Sequence, residues 1–260
     1  MLRPFKDFLK AAVRKVGYDI VPIHWPPGTQ NRPVGNLRSF LEDLRARGVA
    51  IADLIDVGAN RGDWSALVLE VFPDARVYLL EPMPDFRKDL QRFISLHPSA
   101  RYFPVAAGAQ NGTLRIYNDR HPETGGPTGG STFLAQGMAD SAYLPVQVRT
   151  IDDLVATAEI PYPPQLIKAD VQGYELEVCK GAQSCFGVCD LFILEISLYR
   201  FWGAQNPLLH EVIAFMADRG YFAYDVVEFH RRKLDGSLGQ IDICFCRVDS
   251  PLRASNRWDP

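Results

Sequence analysis

The chain has 260 residues, 47% of them apolar and 23% charged, with a formal charge of -3. That length suits one α/β domain with short extensions, and the composition excludes a disordered or fibrous chain. A slightly negative balance supplies no broad positive field to gather phosphates, so nucleic acid is not an expected partner. No apolar stretch approaches the length of a membrane-spanning helix. Lys6, Lys10, Arg14 and Lys15 interrupt the apolar run that a secretory leader needs, and a cytoplasmic location is the expectation. The five cysteines, Cys179, Cys185, Cys189, Cys244 and Cys246, form no CxxC pair and are odd in number. That pattern predicts reduced thiols in the core rather than disulfides or a zinc site.

Along the chain, Leu2, Phe5, Leu9, Ala12, Val13 and Val16 recur at helical spacing, mostly opposite Arg3, Lys6, Lys10 and Arg14. This amphipathic basic helix suits an anionic membrane surface or a partner such as a glycosyltransferase, although most such helices pack on their own core. Pro22, Pro26, Pro27 and Pro33 mark a connector, so residues 1–35 read as an extension, 36–250 as the main domain and 251–260 as a tail. Asn36 is the expected N-cap of a helix carrying Leu37, Phe40, Leu41 and Leu44, with Gly48 as its stop.

From there apolar runs and helical stripes alternate, which predicts a mostly parallel, doubly wound sheet. Strands are expected at residues 51–57, 76–80 and 102–106. Between them lie a helix carrying Trp64, Leu67, Val68 and Val71 and another opened by Pro84. The middle reads as an insertion: a strand at 113–117, a glycine-bearing loop at 119–140 and an alternating run at 144–148. The second half resumes with a helix at 151–158, a strand at 165–169, a short helix at 175–180 and a strand at 191–196. A helix capped by Asn206 and Pro207 and ended by Gly220 follows. Runs at 222–229 and 241–247 flank Asp235-Gly236 as a closing antiparallel hairpin. No internal repeat is present.

The run Leu54 to Asp63 joins an apolar strand to a glycine-bearing turn and a helix start, the place where doubly wound sheets bind ligands. A dinucleotide fingerprint would be G-x-G-x-x-G, but Asn60 stands where the second glycine would admit a pyrophosphate. Asp56 at the strand end would repel a pyrophosphate and favour S-adenosylmethionine, which carries a sulfonium and an ammonium. Glu81, ending the second strand, is placed to take ribose hydroxyls in charge-assisted hydrogen bonds, and Pro82 and Met83 to pack on the adenine. The predicted cofactor segment thus includes Asp56, Gly58, Ala59, Asn60, Gly62, Glu81, Pro82 and Met83.

With those residues in hand, the chain resembles the FkbM family of S-adenosylmethionine-dependent methyltransferases from about Ile55 to Glu195. The matching stretches are Ile55-Asp56-Val57-Gly58-Ala59-Asn60, Leu80-Glu81-Pro82, Ala106-Ala107-Gly108 with Gly112, and Thr150-Ile151-Asp152-Asp153-Leu154. The last is Leu166-Ile167-Lys168-Ala169-Asp170-Val171-Gln172-Gly173, continuing to Lys180-Gly181-Ala182. The resemblance implies a Rossmann-like class I methyltransferase fold and O-methylation of a hydroxyl on a sugar, glycoconjugate or secondary metabolite. It also implies Asp56, Gly58, Asn60 and Glu81 at the cofactor, and Ala106 and Ala107 of a further matching turn are counted as candidate cofactor contacts with them. Many members have Glu where this chain has Gln172.

Asp170 and Glu195 end neighbouring strands, so both carboxylates are expected at the ligand edge. Asp170 is the favoured base or orienter of the acceptor hydroxyl, with Glu195 second. The pair could alternatively hold magnesium, the less favoured reading. Gly125, Gly126, Gly129, Gly130 and Gly137 give the preceding loop freedom to close over an acceptor. Ser131, Thr132, Gln172 and His121 are the candidate acceptor contacts. His24 also lies on a loop, whereas His97, His210 and His230 read as surface residues and Arg231-Arg232-Lys233 as a solvated sheet edge. Two other classes remain open: a cofactor-binding partner subunit without catalysis, and a NAD(P)-dependent oxidoreductase. The oligomeric state is not readable.

Overall fold

The computed structural model describes residues 3–18, 28, 32–120, 129–134 and 142–258, with side chains of the first helix from Leu9 onward. His24, His121 and the prolines at 22, 26 and 27 lie outside the described residues. The chain forms α1 (Arg3–Arg14) and α2 (Leu37–Ala46) and then alternates through β1 (Asp53–Val57), α3 (Asp63–Val71) and β2 (Arg76–Leu80). After a 3-10 turn at Pro84–Phe86 come α4 (Arg87–Leu96), β3 (Ala100–Phe103), β4 (Ala106–Ala107), β5 (Gly112–Tyr117) and β6 (Tyr143–Arg149). The second half adds α5 (Ile151–Ala156), β7 (Leu166–Ala169), α6 (Glu175–Lys180), β8 (Leu191–Ser197), α7 (Leu209–Ala217), β9 (Tyr221–Arg231) and β10 (Leu238–Arg247).

Seven strands form the main sheet in the order β3-β2-β1-β7-β8-β10-β9, with β10 antiparallel to both neighbours and the other contacts parallel. The order reverses between β1 and β7, and a crevice opens at the C-terminal ends of strands where such a reversal occurs. Period-two alternation sends Leu54, Leu166, Leu191 and Ile193 to one face, against Phe40, Leu41, Leu44 and Val68 of α2 and α3. Ile55, Ile167, Phe192 and Phe245 go to the other face, against Ile151, Leu154, Val178 and Met216. All five cysteines are buried and free, the core role expected of them.

Three departures from the sequence reading have a clear physical cause. The expected strand 102–106 breaks after Phe103 because Pro104 has no amide to give the ladder. Ala106 and Ala107 instead pair with Val148 and Arg149 in a second sheet, β4-β6-β5, which Thr132 joins through a bridge to Tyr117. β1 starts at Asp53, since Gln165 Oε1 accepts the amides of Ala52 and Asp53 at 3.1 and 2.7 Å and so ties off the strand's start. Asn206 does not cap α7. It is fully buried and donates to the Pro207 carbonyl at 3.0 Å, while Glu211 accepts from the Leu208 amide at 2.7 Å.

Among the described side chains of the N-terminal apolar stripe, Leu9 on α1 is 43% exposed and Val16, just beyond the helix, 70%. α2, by contrast, is integral to the fold. Asn36 Oδ1 accepts the Ser39 amide at 2.9 Å, and Gly35, at φ +78°, leaves no room for a Cβ against the Phe229 ring. Replacing Asn36 by Ala frees a helix-start amide, so Asn36→Ala should cost about 1 kcal/mol of unfolding free energy. Urea denaturation checks this; an unchanged midpoint would show that the cap contributes nothing.

Candidate functional site

Two turns build the site. The first follows β1: the amides of Gly58 and Ala59 donate to the Leu80 carbonyl at 2.9 and 3.2 Å, hanging the turn on the end of β2. Gly58 has φ +76°, and a Cβ there would run into the Asp170 carbonyl oxygen. Its glycine is therefore required by the approach of the second turn as well as by its own backbone. Asn60 also occupies the left-handed region, at φ +48°, and Asn tolerates this better than most residues. Its amide donates to Glu81 Oε2 at 2.9 Å, and the Met83 amide donates to Oε1 at 2.8 Å. Burial pushes the Glu81 carboxyl up to about 7 despite these two donors.

The second turn, Asp170 to Gly173, follows β7. Gln172 and Gly173 take φ +54° and +95°. The buried Glu175 carboxylate staples this turn by accepting from Val171 and Gly173 amides at 3.0 and 3.1 Å, and burial raises its own pKa to about 7. The Gln172 amide donates to Asp170 Oδ1 at 3.0 Å and Glu195 Oε2 at 2.9 Å. Gln240 donates to the same Glu195 oxygen at 2.7 Å. Gln172 thus stands where a cation shared by Asp170 and Glu195 would sit. It also explains the departure at this position, because only a protonated Glu could donate between two carboxylates.

Lys168 ties the turns together from beneath. Its Nζ lies 3.3 Å from Asp56 Oδ1, 3.4 Å from Asp170 Oδ2 and 3.3 Å from the Gly58 carbonyl oxygen. Burial would lower the Lys168 pKa, but the charges of Asp56, Asp170 and Asp242 outweigh it and hold the ammonium above its ordinary value. For Asp170 burial acts upward, yet Lys168 and the hydrogen bonds around the carboxylate leave it below the usual range. Glu195 is pushed well up, by burial first and by Asp170 second.

Above the turns lies an open cavity of about 660 Å³. Gly58, Asn60, Glu81, Pro82, Met83, Ala106, Ala107, Ser131, Asp170 and Gln172 all line it, so the structure brings these sequence-predicted residues together. Asp56, Ala59 and Gly62 do not reach it. Asp56 is fully buried, paired with Lys168 and accepting from Ser65 Oγ at 2.6 Å, so it supports the turn from below. Ala59 is buried in the α2-side core, and Gly62 caps α3 against the Phe93 ring. Thr132 is fully buried and donates to the Gln172 carbonyl at 2.7 Å, so Ser131, and not Thr132, faces the cavity. Glu195 sits behind Gln172, away from the lining. His121 lies outside the described residues.

Phe86, Ile116 and Phe133 also line the cavity and were not anticipated there. They come from three separate segments and carry no local motif. Lys168 did carry a signal: a lysine inside an apolar strand must find a buried partner. On the other side of Asp170 a groove of about 850 Å³ runs past Trp64, Lys168, Glu228, His230 and Asp242. Asp170, Asn60 and Gly58 border both spaces.

The bridging amide makes a test. Gln172→Glu removes two donated hydrogen bonds and sets a third carboxylate beside two others, so it should lower stability by about 1–3 kcal/mol. Urea denaturation of both proteins reads this, and equal stability would contradict the bridging role.

The profile described as "Methyltransferase FkbM domain" matches residues 56–223. The hexuronic acid methyltransferase AglP of Haloferax volcanii is 27% identical over 160 residues, 62% of this chain and 60% of that protein. The match therefore spans less than two thirds of that relative. Among solved structures, a precorrin-6y C5,15-methyltransferase from Geobacter metallireducens GS-15 shares 12% identity, with 81% of this chain and 86% of that one covered at a TM-score of 0.44. A Burkholderia thailandensis 1,6-didemethyltoxoflavin-N1-methyltransferase, with bound 1,6-didemethyltoxoflavin and S-adenosylhomocysteine, shares 10%, covering 83% and 80% at a TM-score of 0.41.

Proposed function

The chain belongs to the FkbM methyltransferase family, and we propose that it moves the methyl group of S-adenosylmethionine to a hydroxyl of a sugar, glycoconjugate or secondary metabolite. The observation that carries the donor assignment is the charge of the cavity. Glu81 and Asp170 line it, and among the described residues no lysine or arginine does. Such a wall repels a pyrophosphate and attracts a sulfonium and an ammonium. The same wall argues against a nicotinamide dinucleotide, as does Asn60 in place of the second fingerprint glycine.

When bound, S-adenosylmethionine supplies an electrophilic methyl carbon on a positively charged sulfur. Glu81 would hold its ribose hydroxyls, since each carboxylate oxygen keeps a lone pair beyond the one taken by Asn60 or Met83. Pro82, Met83 and Phe86 offer the apolar wall suited to adenine. Asp170 borders both the cavity and the groove and is kept ionised by Lys168, a position from which it orients an acceptor hydroxyl and accepts its proton. Ser131 is available to hydrogen-bond the acceptor, and Trp64 presents an aromatic face along the groove. A sugar is the favoured acceptor because AglP is named for hexuronic acids.

Two measurements test this reading. Burial favours the neutral form of Glu81, whose pKa is about 7, while ribose hydroxyls favour the ionised form. Affinity for S-adenosylhomocysteine should therefore rise about tenfold from pH 6 to pH 8 and depend on pH far less in Glu81→Gln. Calorimetric titration across that range decides it, and a wild-type affinity flat with pH would remove Glu81 from the contact. The second is transfer of a radiolabelled methyl group to uronic acid glycans. Asp170→Asn should lower turnover by about 10²–10⁴ while keeping donor affinity within a few fold. Near-normal turnover would overturn the role of Asp170. Donor binding without transfer to any hydroxyl acceptor would favour a non-catalytic partner subunit.

A further inference from the structure

The main sheet carries a row of charge through one otherwise apolar face. Asp56 on β1 is in register with Lys168 on β7, and Asp242 on β10 is in register with Glu195 on β8 and Glu228 on β9. His230 lies two residues beyond Glu228, opposite Gln240. Lys168 divides its charge between Asp56 and Asp170, so the acidic end of the row at β8, β10 and β9 has no ion-pair cation of its own among the described residues. Asp242 is 4% exposed, and its Oδ1 has no hydrogen-bond partner. A buried carboxylate oxygen without a partner is costly, and Asp242 borders the groove that His230 also lines.

We propose that Glu195, His230 and Asp242 form a binding site for a divalent transition-metal cation, of the manganese or zinc type. One donor atom from each lies within 4.8 Å of the other two. Neighbouring ligands of a tetrahedral ion sit about 3.4 Å apart, so closure by up to roughly 1.4 Å completes the geometry. The exposed His230 gives that closure freedom. Two carboxylates with one imidazole favour manganese or zinc over calcium or magnesium, which prefer all-oxygen sets. The Gln172 and Gln240 amides fix Glu195 in orientation, the support that ligating carboxylates ordinarily receive. Three protein ligands leave coordination positions open toward the groove, where a hydroxyl or carboxylate of a bound molecule can reach the ion. None of the three lines the donor cavity, so the site stands whether or not the methyl donor is the one proposed.

The test is direct binding to the full chain after chelator treatment. Mn2+ is titrated with the free ion followed by electron paramagnetic resonance, and Zn2+ by calorimetry. One equivalent of either ion should bind saturably, with the affinity lowered on the order of tenfold or more in His230→Ala and in Asp242→Asn. His230 is exposed, so His230→Ala decides alone if the Asp242 variant does not fold. Absence of saturable binding by both ions, or wild-type affinity in a folded variant of either residue, overturns the site.

Discussion

A lysine buried in the central sheet has to be neutralised where it stands, and Lys168 is neutralised by two carboxylates belonging to different segments. Asp56 lies in the neighbouring strand, while Asp170 begins the turn beyond the strand's end. The ammonium therefore clamps β1 to β7 at the reversal of strand order. The Gly58 carbonyl joins the same cluster, which fixes the first turn close enough to the second that only glycine fits. Desolvating such a group is expensive, and its cost is met only while every partner is present. The shape of the cavity follows from that clamp.

The same electrostatics divide the labour among the carboxylates. Those inside strands, Asp56 and Asp242, point to the face covered by α2 and α3. Those past strand ends, Glu81 and Asp170, project into the cavity. Gln172 lets Asp170 and Glu195 lie close together without mutual ionisation, donating to both from one nitrogen. Gln172 is a neutral bridge, and the backbone strain at that residue, φ +54°, is held in place by Glu175 and Thr132 around it. Negative charge is thus left facing ligand space, the condition that makes the cavity hospitable to a cationic donor.

Much of this was legible from residue order. The alternation of apolar runs and helical stripes located the strands, and the glycine turn with Glu81 located the cavity. The second sheet was not legible, because its β4 is two residues long and is set by Pro104 and not by any apolar pattern. Asp56 was assigned to the cofactor from its place near a strand end. Strand parity instead puts it on the face of Leu54, one residue too early to reach beyond the edge. Thr132 and Ser131 are adjacent and alike in chemistry, yet the bridge to Tyr117 turns one inward and the other toward the cavity. Such choices depend on register between distant segments, which local sequence does not encode.

The clamp is tested most directly by comparing wild type with Lys168→Met in equilibrium urea denaturation, with S-adenosylhomocysteine titrated into whatever remains folded. Removal of one member of a buried ion cluster leaves Asp56 uncompensated, so a loss of about 3–5 kcal/mol is predicted, together with loss of ligand binding. A Lys168→Met protein that keeps wild-type stability and binds the ligand with wild-type affinity would contradict the clamp.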